Sequence, residues 1–486
     1  MPLRARTLAV AATATVLAAT GLTLPFAVTA AAAPADAPVT SDFNGDGYAD
    51  LAVGVPSATV GGKAKAGYVS VVFGGANGPG PHGTVRIAQS TAEVPGTPEA
   101  GDRFGGSVVS AHIDDDAYAD LVIGAPGEDI GAATDAGSVT VLYGGPDGFG
   151  EANTAARGET SRAAYGNALA AADFTGDTDI DLAIGGKDRV VANYNPLADR
   201  TEPLMGDRMG GRAPVMTTGD FDSDGRPELA VAFYTRNQPY TQSHVQLFHY
   251  RTEEHRFGLS WSSDNSAADA LAAGDFNGDG HDDLALGNCR EIADENIDDP
   301  CGPEELARGG GIHIHYGDGR EPVWEGQTLN QDTPGVPGAA ETGDDFGSAL
   351  TAADVDGDGK DDLVAGAPGE AIGTAARAGS VTILKGGTKG ILDARGAADA
   401  VAYQQNSPGV LGVAQAGDTF GAALATGDHN GDGVPDLSVA APGENSAAGG
   451  VWDLPGAAAG GSVVTPNSLG LPASADPLAY GAVLGR

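Results

Sequence analysis

One acidic pattern recurs seven times along this chain, and a chain so repeated is confined to architectures of equivalent units stacked in a row or closed into a ring. It reads Asp-x-Asp/Asn-x-Asp-Gly-x-x-Asp-Leu, with copies starting at Asp42, His112, Asp173, Asp220, Asp275, Asp354 and Asp428. Successive copies lie about 64 residues apart, more than the usual propeller period of about 40–50. An aromatic-Gly pair stands eight residues before the loop in Phe104-Gly105, Tyr165-Gly166, Phe346-Gly347 and Phe420-Gly421. After the loop comes an apolar run such as Leu121 to Glu128, echoed at Leu363 to Glu370 and Leu437 to Glu444. An alternating segment follows, as in Gly137 to Tyr143, and then a weaker one near Val85, Gln327, Val401 and Val463. Each unit therefore reads as four short strands bounded by Gly/Pro turns, with no helical period. Seven such units predict an all-β, seven-bladed β-propeller of four-stranded blades. A β-solenoid fits less well, because its shorter coils do not need four strands per repeat.

The two ends of the chain complement each other. The first loop starts at Asp42 with no aromatic-Gly strand before it, whereas Tyr480-Gly481-Ala482-Val483-Leu484 has no loop after it. That segment matches Phe420 to Leu424, so the ring is expected to close by pairing of N- and C-terminal strands, with the segment starting near Val39 as partner. Ahead of this, Arg4 and Arg6 precede an Ala/Leu/Val/Thr-rich stretch from Leu8 to Val28 and an Ala run at Ala30 to Ala33. Residues 1–33 read as a secretory signal peptide with cleavage between 30 and 37, and residues 38–486 as the propeller. No later stretch is apolar enough to span a bilayer.

The loops have the composition of metal sites. In Asp354-Val355-Asp356-Gly357-Asp358-Gly359-Lys360-Asp361-Asp362, oxygen side chains fall at positions 1, 3, 5 and 9. Gly359 permits the sharp turn, and the carbonyl of Lys360 can turn inward. Hard oxygen donors suit Ca2+, with Mg2+ second and zinc or copper disfavoured. The equivalent ligands are Asp42, Asn44, Asp46, Tyr48 and Asp50; Asp220, Asp222, Asp224, Arg226 and Glu228; Asp275, Asn277, Asp279, His281 and Asp283; and Asp428, Asn430, Asp432, Val434 and Asp436. In each, the seventh residue offers its carbonyl. The third loop, Asp173, Thr175, Asp177, Asp179 and Asp181, has Thr175 at position 3 and Thr178 in place of Gly. The second has His112 for its first carboxylate and Ala117 for Gly, and is expected to be empty or weak. These are not EF-hands, since position 12 is apolar (Val53, Ile184, Val231, Leu286, Ala365, Val439) where a bidentate Glu would stand.

Phe346-Gly347 and Gly366-Ala367-Pro368, with an Asp loop between them, resemble the FG-GAP repeat of integrin α-subunit head propellers and related bacterial secreted proteins. The resemblance covers the mature chain and weakens in the fourth and fifth repeats, where the aromatic-Gly pair is missing. It implies a seven-bladed propeller with calcium in the loops and a role in adhesion or ligand binding. Nothing matches the integrin leg domains, membrane helix or tail. FG-GAP repeats also accompany secreted hydrolases, including a phospholipase D, beside a separate catalytic domain.

Composition narrows the partners. The formal net charge is −40, from 66 acidic and 26 basic residues, which argues against nucleic acid and for cations. The expected partner is an extracellular protein or glycan. No Gly-x-Ser-x-Gly or His-Glu-x-x-His motif is present, so a secreted hydrolase or lyase is the alternative rather than the main reading. His313 and His315 share one face of a predicted strand; they could bind metal, but ordinary strand residues are the plainer reading. Cys289 and Cys301 are the only cysteines, and in an exported chain they are expected to form a disulfide closing a loop. On the rim opposite the Asp loops, the segment Tyr234 to Tyr240 varies most, which makes Tyr234, Arg236 and Tyr240 candidate ligand-binding residues.

Overall fold

The computed structural model describes residues 41–485 apart from 81, 115, 207–208, 210–211, 238–239, 265–267, 288–308, 320–325 and 473–476; the side chains of 236–243 and 264 are likewise outside the description. Seven four-stranded antiparallel sheets form the seven blades of a β-propeller. Blade two runs β4 (Ser107–Ala111), β5 (Asp120–Ala125), β6 (Ser138–Leu142) and β7 (Ala152–Arg157). Blade three comprises β8 (Ala168–Ala172), β9 (Asp181–Gly185), β10 (Val190–Asn193) and β11 (Glu202–Met205). Blade four comprises β12 (Val215–Gly219), β13 (Glu228–Asn237), β14 (Tyr240–Arg251) and β15 (Arg256–Asp264). Blade five comprises β16 (Ala270–Gly274), β17 (Asp283–Gly287), β18 (Ile312–His315) and β19 (Gln327–Leu329). Blade six comprises β20 (Ala349–Ala353), β21 (Asp362–Ala367), β22 (Ser380–Leu384) and β23 (Ala400–Tyr403). Blade seven comprises β24 (Leu424–Gly427), β25 (Asp436–Ala441), β26 (Gly450–Leu454) and β27 (Ser462–Val464). Blade one combines β1 (Leu51–Val55), β2 (Tyr68–Val72) and β3 (Thr84–Ile87) with the last strand of the chain, β28 (Val483–Leu484).

Residue size follows position in the blade. The innermost strands are small, as in Ala-Leu-Ala-Ala-Ala of β8, because seven strands converge on the axis. Val108, Leu169, Val215, Ala270, Ala349, Leu424 and Val483, one from each innermost strand, line an axial cavity of about 290 Å³. Outside blade four, the second strands are buried along their whole length, sandwiched between neighbouring blades, and so read as continuous apolar runs rather than alternating ones.

At five of the seven junctions, neighbouring blades are joined by the aromatic-Gly pair. Phe104 N donates to Ala66 O at 2.9 Å and Gly105 N to Gly124 O at 3.0 Å, so the pair spans two blades. The contact leaves no room for a side chain: a Cβ on Gly67, whose φ is +82°, would meet Phe104 O at 2.2 Å. The same contact recurs between Gly137 and Tyr165, Gly310 and Phe346, Gly379 and Phe420, and Gly449 and Tyr480.

That last pair makes the seam. Tyr480 is wholly buried and its N donates to Ala448 O in blade seven at 3.1 Å. Three residues on, β28 pairs with β1 through Val53↔Leu484 and Gly54↔Val483. Ring closure by the terminal strands is therefore as the repeat pattern predicts, but the partner differs. β28 pairs with the strand after the first loop, since it supplies the innermost strand that every other blade carries before its loop; the expected partner segment near Val39 lies outside the described residues.

Blade four departs from expectation in a second way. Tyr234, Arg236 and Tyr240 lie in the β13–β14 hairpin, not in an irregular loop: Tyr234 is opposite Ser243 and Arg236 opposite Thr241. A run of β-branched and aromatic residues extends the strands instead. The Cys289–Cys301 pair and the signal segment lie outside the described residues.

Tyr480→Ala is expected to remove about 3–5 kcal/mol, the usual cost of truncating a buried aromatic. Deleting Ala479 to Arg486 exposes the β1 edge as well, so this variant should melt lower still and self-associate. Thermal melts and size-exclusion chromatography check both. A truncated chain as stable and monomeric as the full one rules out the seam.

Candidate functional site

Six of the acidic loops join the first strand of a blade to its second, and the loop at Asp42 leads into β1 beside β28, so all seven gather on one face of the ring. Within each loop, the ninth-position carboxylate is the anchor. Asp50 accepts from Phe43 N at 3.0 Å and from Gly74 N at 2.9 Å. Asp120 repeats this with Ile113 and Gly144, and Asp283 with Phe276 and Gly317. The first-position carboxylate folds the loop around itself: Asp42 accepts from Gly45, Asp46 and Gly47 at 2.7, 3.1 and 2.7 Å. Asp275 and Asp428 do the same in their loops.

Positions 1, 3 and 9 converge. In the fourth loop one carboxylate oxygen each from Asp220, Asp222 and Glu228 lies within 4.8 Å of the others; in the sixth, Asp354, Asp356 and Asp362 do so. Several of these oxygens are shielded from solvent yet accept no hydrogen bond: Asp181 Oδ1, Asp220 Oδ1, Asp362 Oδ2 and Asp436 Oδ2. Unpaired buried carboxylate oxygens are costly, and a hard divalent cation is what such a donor set fits. Basic side chains also approach the loops. Lys385 Nζ lies 2.8 Å from Asp356, Lys360 Nζ 2.9 Å from Asp358, and Arg226 bonds Asp224.

The seventh residues, expected to give only carbonyls, also interlock the loops. Tyr118 rests on Gly45 of the preceding loop, Arg226 on Gly176, Lys360 on Gly278, and Tyr48 on Gly431 across the seam. Ser223, where the fourth loop lacks that Gly, instead bonds His281. Backbone bonds run alongside, as from Ala49 N to Asp428 O at 3.0 Å and from Ala119 N to Asp42 O at 2.9 Å. In the second loop His112 takes the first position, with both ring nitrogens shielded and unpartnered.

Other candidate residues lie apart from this face. Tyr234 is 7% exposed, with Arg212 stacked 5.0 Å from its ring centre and Asp269 3.5 Å from its hydroxyl. The side chains of Arg236 and Tyr240 are outside the description. The His313 and His315 rings contact each other at 4.4 Å, and His313 pairs with Thr328 at 2.7 Å.

Two polar groupings escaped the sequence reading. At three blade junctions on the opposite rim, Gln89 bonds Glu128, Gln331 bonds Glu370 and Gln405 bonds Glu444, at 2.5, 2.5 and 2.7 Å. Burial pushes Glu128 up to about 7. The Gly-Glu that ends three of the apolar runs, at Glu128, Glu370 and Glu444, was the available signal for these. The second grouping, His429 with Asp436 and Asp453, is wholly buried in blade seven.

Comparison with known proteins places these features. The FG-GAP repeat family matches residues 35–72, 104–142, 346–384 and 420–452, and the FG-GAP-like repeat family matches residues 220–286. Curated relatives include phosphatidylinositol-glycan-specific phospholipase D of Rattus norvegicus, 32% identical over 164 residues, covering 32% of this chain and 19% of the enzyme. The same enzyme of Homo sapiens is 37% identical over 126 residues, covering 25% of this chain and 14% of the enzyme. The chain thus matches under a fifth of the length of these relatives. Among solved structures, it is similar to a chain of the Photorhabdus luminescens Tc holotoxin pore, with a TM-score of 0.35 and 14% identity over 73% of this chain and 14% of that one.

The loop carboxylates set a pH dependence. Burial, with repulsion between neighbouring acids added, pushes Asp120, Asp362 and Asp436 up to about 6, Asp50 and Asp181 to about 7, and Glu228 and Asp283 to about 8. The unfolded chain releases these protons near pH 4, so the folded state holds more protons between pH 4 and 8. Stability conferred by these groups is full below pH 4 and lost as pH rises through 6–8. In EDTA the melting midpoint should fall from pH 5 to pH 8, and a divalent cation should remove that fall. A midpoint that rises over this range in EDTA contradicts the assignment.

Proposed function

The chain is an FG-GAP repeat β-propeller, and on that footing we propose that it is a secreted, calcium-dependent binding module for an extracellular protein or glycan, with a role in adhesion or ligand capture. The convergence of shielded, unpartnered carboxylate oxygens in loops at matched positions supports calcium most directly. Six loops supply the sites: those beginning at Asp42, Asp173, Asp220, Asp275, Asp354 and Asp428. Calcium there neutralises carboxylates that otherwise repel, and it makes the interlocked face rigid. Ligand recognition falls to the opposite rim, where the connections differ most between blades. Among the described residues no helix is long and apolar enough to cross a membrane.

The names of the phospholipase relatives favour one alternative, a secreted hydrolase or lyase using the propeller as scaffold. The short shared length supports a common module more than a common active site.

Calcium should raise the melting midpoint. A cation in hundredfold excess over its dissociation constant stabilises by about 2.7 kcal/mol per site, and extracellular calcium modules often bind at about 10⁻⁴–10⁻³ M. Melting in 10 mM calcium and in EDTA at pH 7.5 measures this; equal midpoints would sink the calcium reading. A glycan array and a pull-down, each run with calcium and with EDTA, test the binding role. Capture in calcium alone supports it. Turnover of a phosphatidylinositol-glycan substrate by the purified chain favours the hydrolase instead.

A further inference from the structure

We propose that blade seven holds a second kind of divalent cation, of the borderline class that includes zinc and cobalt(II), between His429, Asp436 and Asp453. His429 is the second residue of the last acidic loop, Asp436 opens β25, and Asp453 lies on β26. They are 2%, 0% and 1% exposed. One ligand atom from each lies within 4.8 Å of the other two, and His429 Nδ1 is 2.7 Å from Asp453 Oδ1. Two ligands each about 2.1 Å from one tetrahedral metal sit about 3.4 Å apart, so the ring and the carboxylate need to part by only roughly 0.7 Å to share a cation.

The grouping departs from the repeat in concert. The second loop residue is apolar in every other blade: Phe43, Ile113, Phe174, Phe221, Phe276 and Val355. The facing pair of the second and third strands is likewise apolar elsewhere, as in Ala52↔Val71, Val122↔Val141, Ala285↔Ile314 and Val364↔Ile383. In blade seven it is Ser438↔Asp453. Three polar residues thus replace apolar ones at adjoining buried positions, where a lone polar or charged group is heavily penalised.

A buried His–Asp pair alone does not account for the arrangement. It satisfies Asp453 Oδ1, but Asp453 Oδ2 and Asp436 Oδ2 are both shielded and accept no hydrogen bond. Two carboxylates meet one imidazole here, and His429 is the only basic side chain paired with Asp453 among the described residues. Uncompensated charge in a core is heavily penalised, and a divalent cation removes that penalty. Gly78 of blade one covers the site: a Cβ there would come 2.8 Å from Asp453 Oδ2.

An imidazole nitrogen with two carboxylates is the donor set of borderline metals rather than of calcium, which takes oxygen alone. Asp436 can serve both. Its Oδ1 faces the loop, accepting from Asn430 Nδ2 at 2.8 Å and Gly456 N at 3.0 Å, while Oδ2 is the unpartnered atom. The site shares Asp436 with the last calcium loop, but His429 and Asp453 belong to no loop ligand set, so the two readings are tested through different residues.

Cobalt(II) is the probe, added to the untagged chain in excess calcium, with metal counted by mass spectrometry and visible absorption recorded. The wild-type chain should retain one cobalt with a visible ligand-field band, displaced by zinc. The variant H429F/D453V, which restores the residue types of the other blades, should retain none while its calcium count is unchanged. D453N, which keeps size and shape, should bind cobalt at least tenfold more weakly. No cobalt on the wild-type chain, or equal uptake by either variant, overturns the site. Calcium counts from the same samples report separately on the loops.

Discussion

The contact on which this molecule depends is the approach of an aromatic-Gly pair to the glycine of the blade before it. Because Phe104 O would lie 2.2 Å from a Cβ at Gly67, the two backbones meet with no side chain between them. The aromatic ring is then fully enclosed: Phe104, Phe346, Phe420 and Tyr480 are at most 1% exposed. One contact thus combines a backbone hydrogen bond, a buried ring and a fixed distance between neighbouring sheets. Repeated around an axis, a fixed offset closes a ring. The seam uses the same device, since Tyr480 is held by blade seven and its strand continues into blade one.

The acidic face is a consequence of that spacing. Blades held at one distance bring the seven loops side by side, so that Tyr48 can lie on Gly431 and Tyr118 on Gly45. The same closeness packs carboxylates together in a chain of net charge −40. Each ninth-position acid is needed to terminate backbone N–H groups at the top of its blade, and so it is buried whether or not a cation is present. The fold and the calcium proposed for the loops therefore draw on the same residues. The raised proton affinities of Asp50, Glu228 and Asp283 express that conflict.

Most of this was legible because repetition turns weak signals into strong ones. A single Asp-Gly turn means little, but seven in register define blade number, strand order and the loop face. Even the seam was readable, from Tyr480-Gly481 lacking a loop and Asp42 lacking a strand. What escaped was information that does not repeat. The β13–β14 hairpin runs on through Tyr234 because its aromatic and β-branched residues favour strand, and no other blade offers a template for its length. The partner of β28 was misplaced because pattern matching finds a strand without stating which edge it meets. The interlocking of position 7 with the neighbouring position 4 needed the ring to be built first.

Departures from a repeat are of two kinds, and the physical context separates them. Where an exposed loop residue changes, as Thr178 does for Gly, the fold absorbs it: the residue takes φ = +81° and the loop keeps its hydrogen bonds from Gly176, Asp177 and Thr178 to Asp173. Where several buried residues change together and come into contact, the substitutions compensate one another. The Gln–Glu pairs at the blade junctions are of neither kind, since Gln89–Glu128, Gln331–Glu370 and Gln405–Glu444 repeat and so belong to the scaffold. His429, Ser438 and Asp453 appear once, in the core, at positions the other blades fill with hydrocarbon. Polar groups in such a place cost stability, and a ring that already has six apolar solutions to the same packing problem does not need a seventh, polar one. The pattern that makes the scaffold readable also isolates the one blade whose core is built for something other than packing.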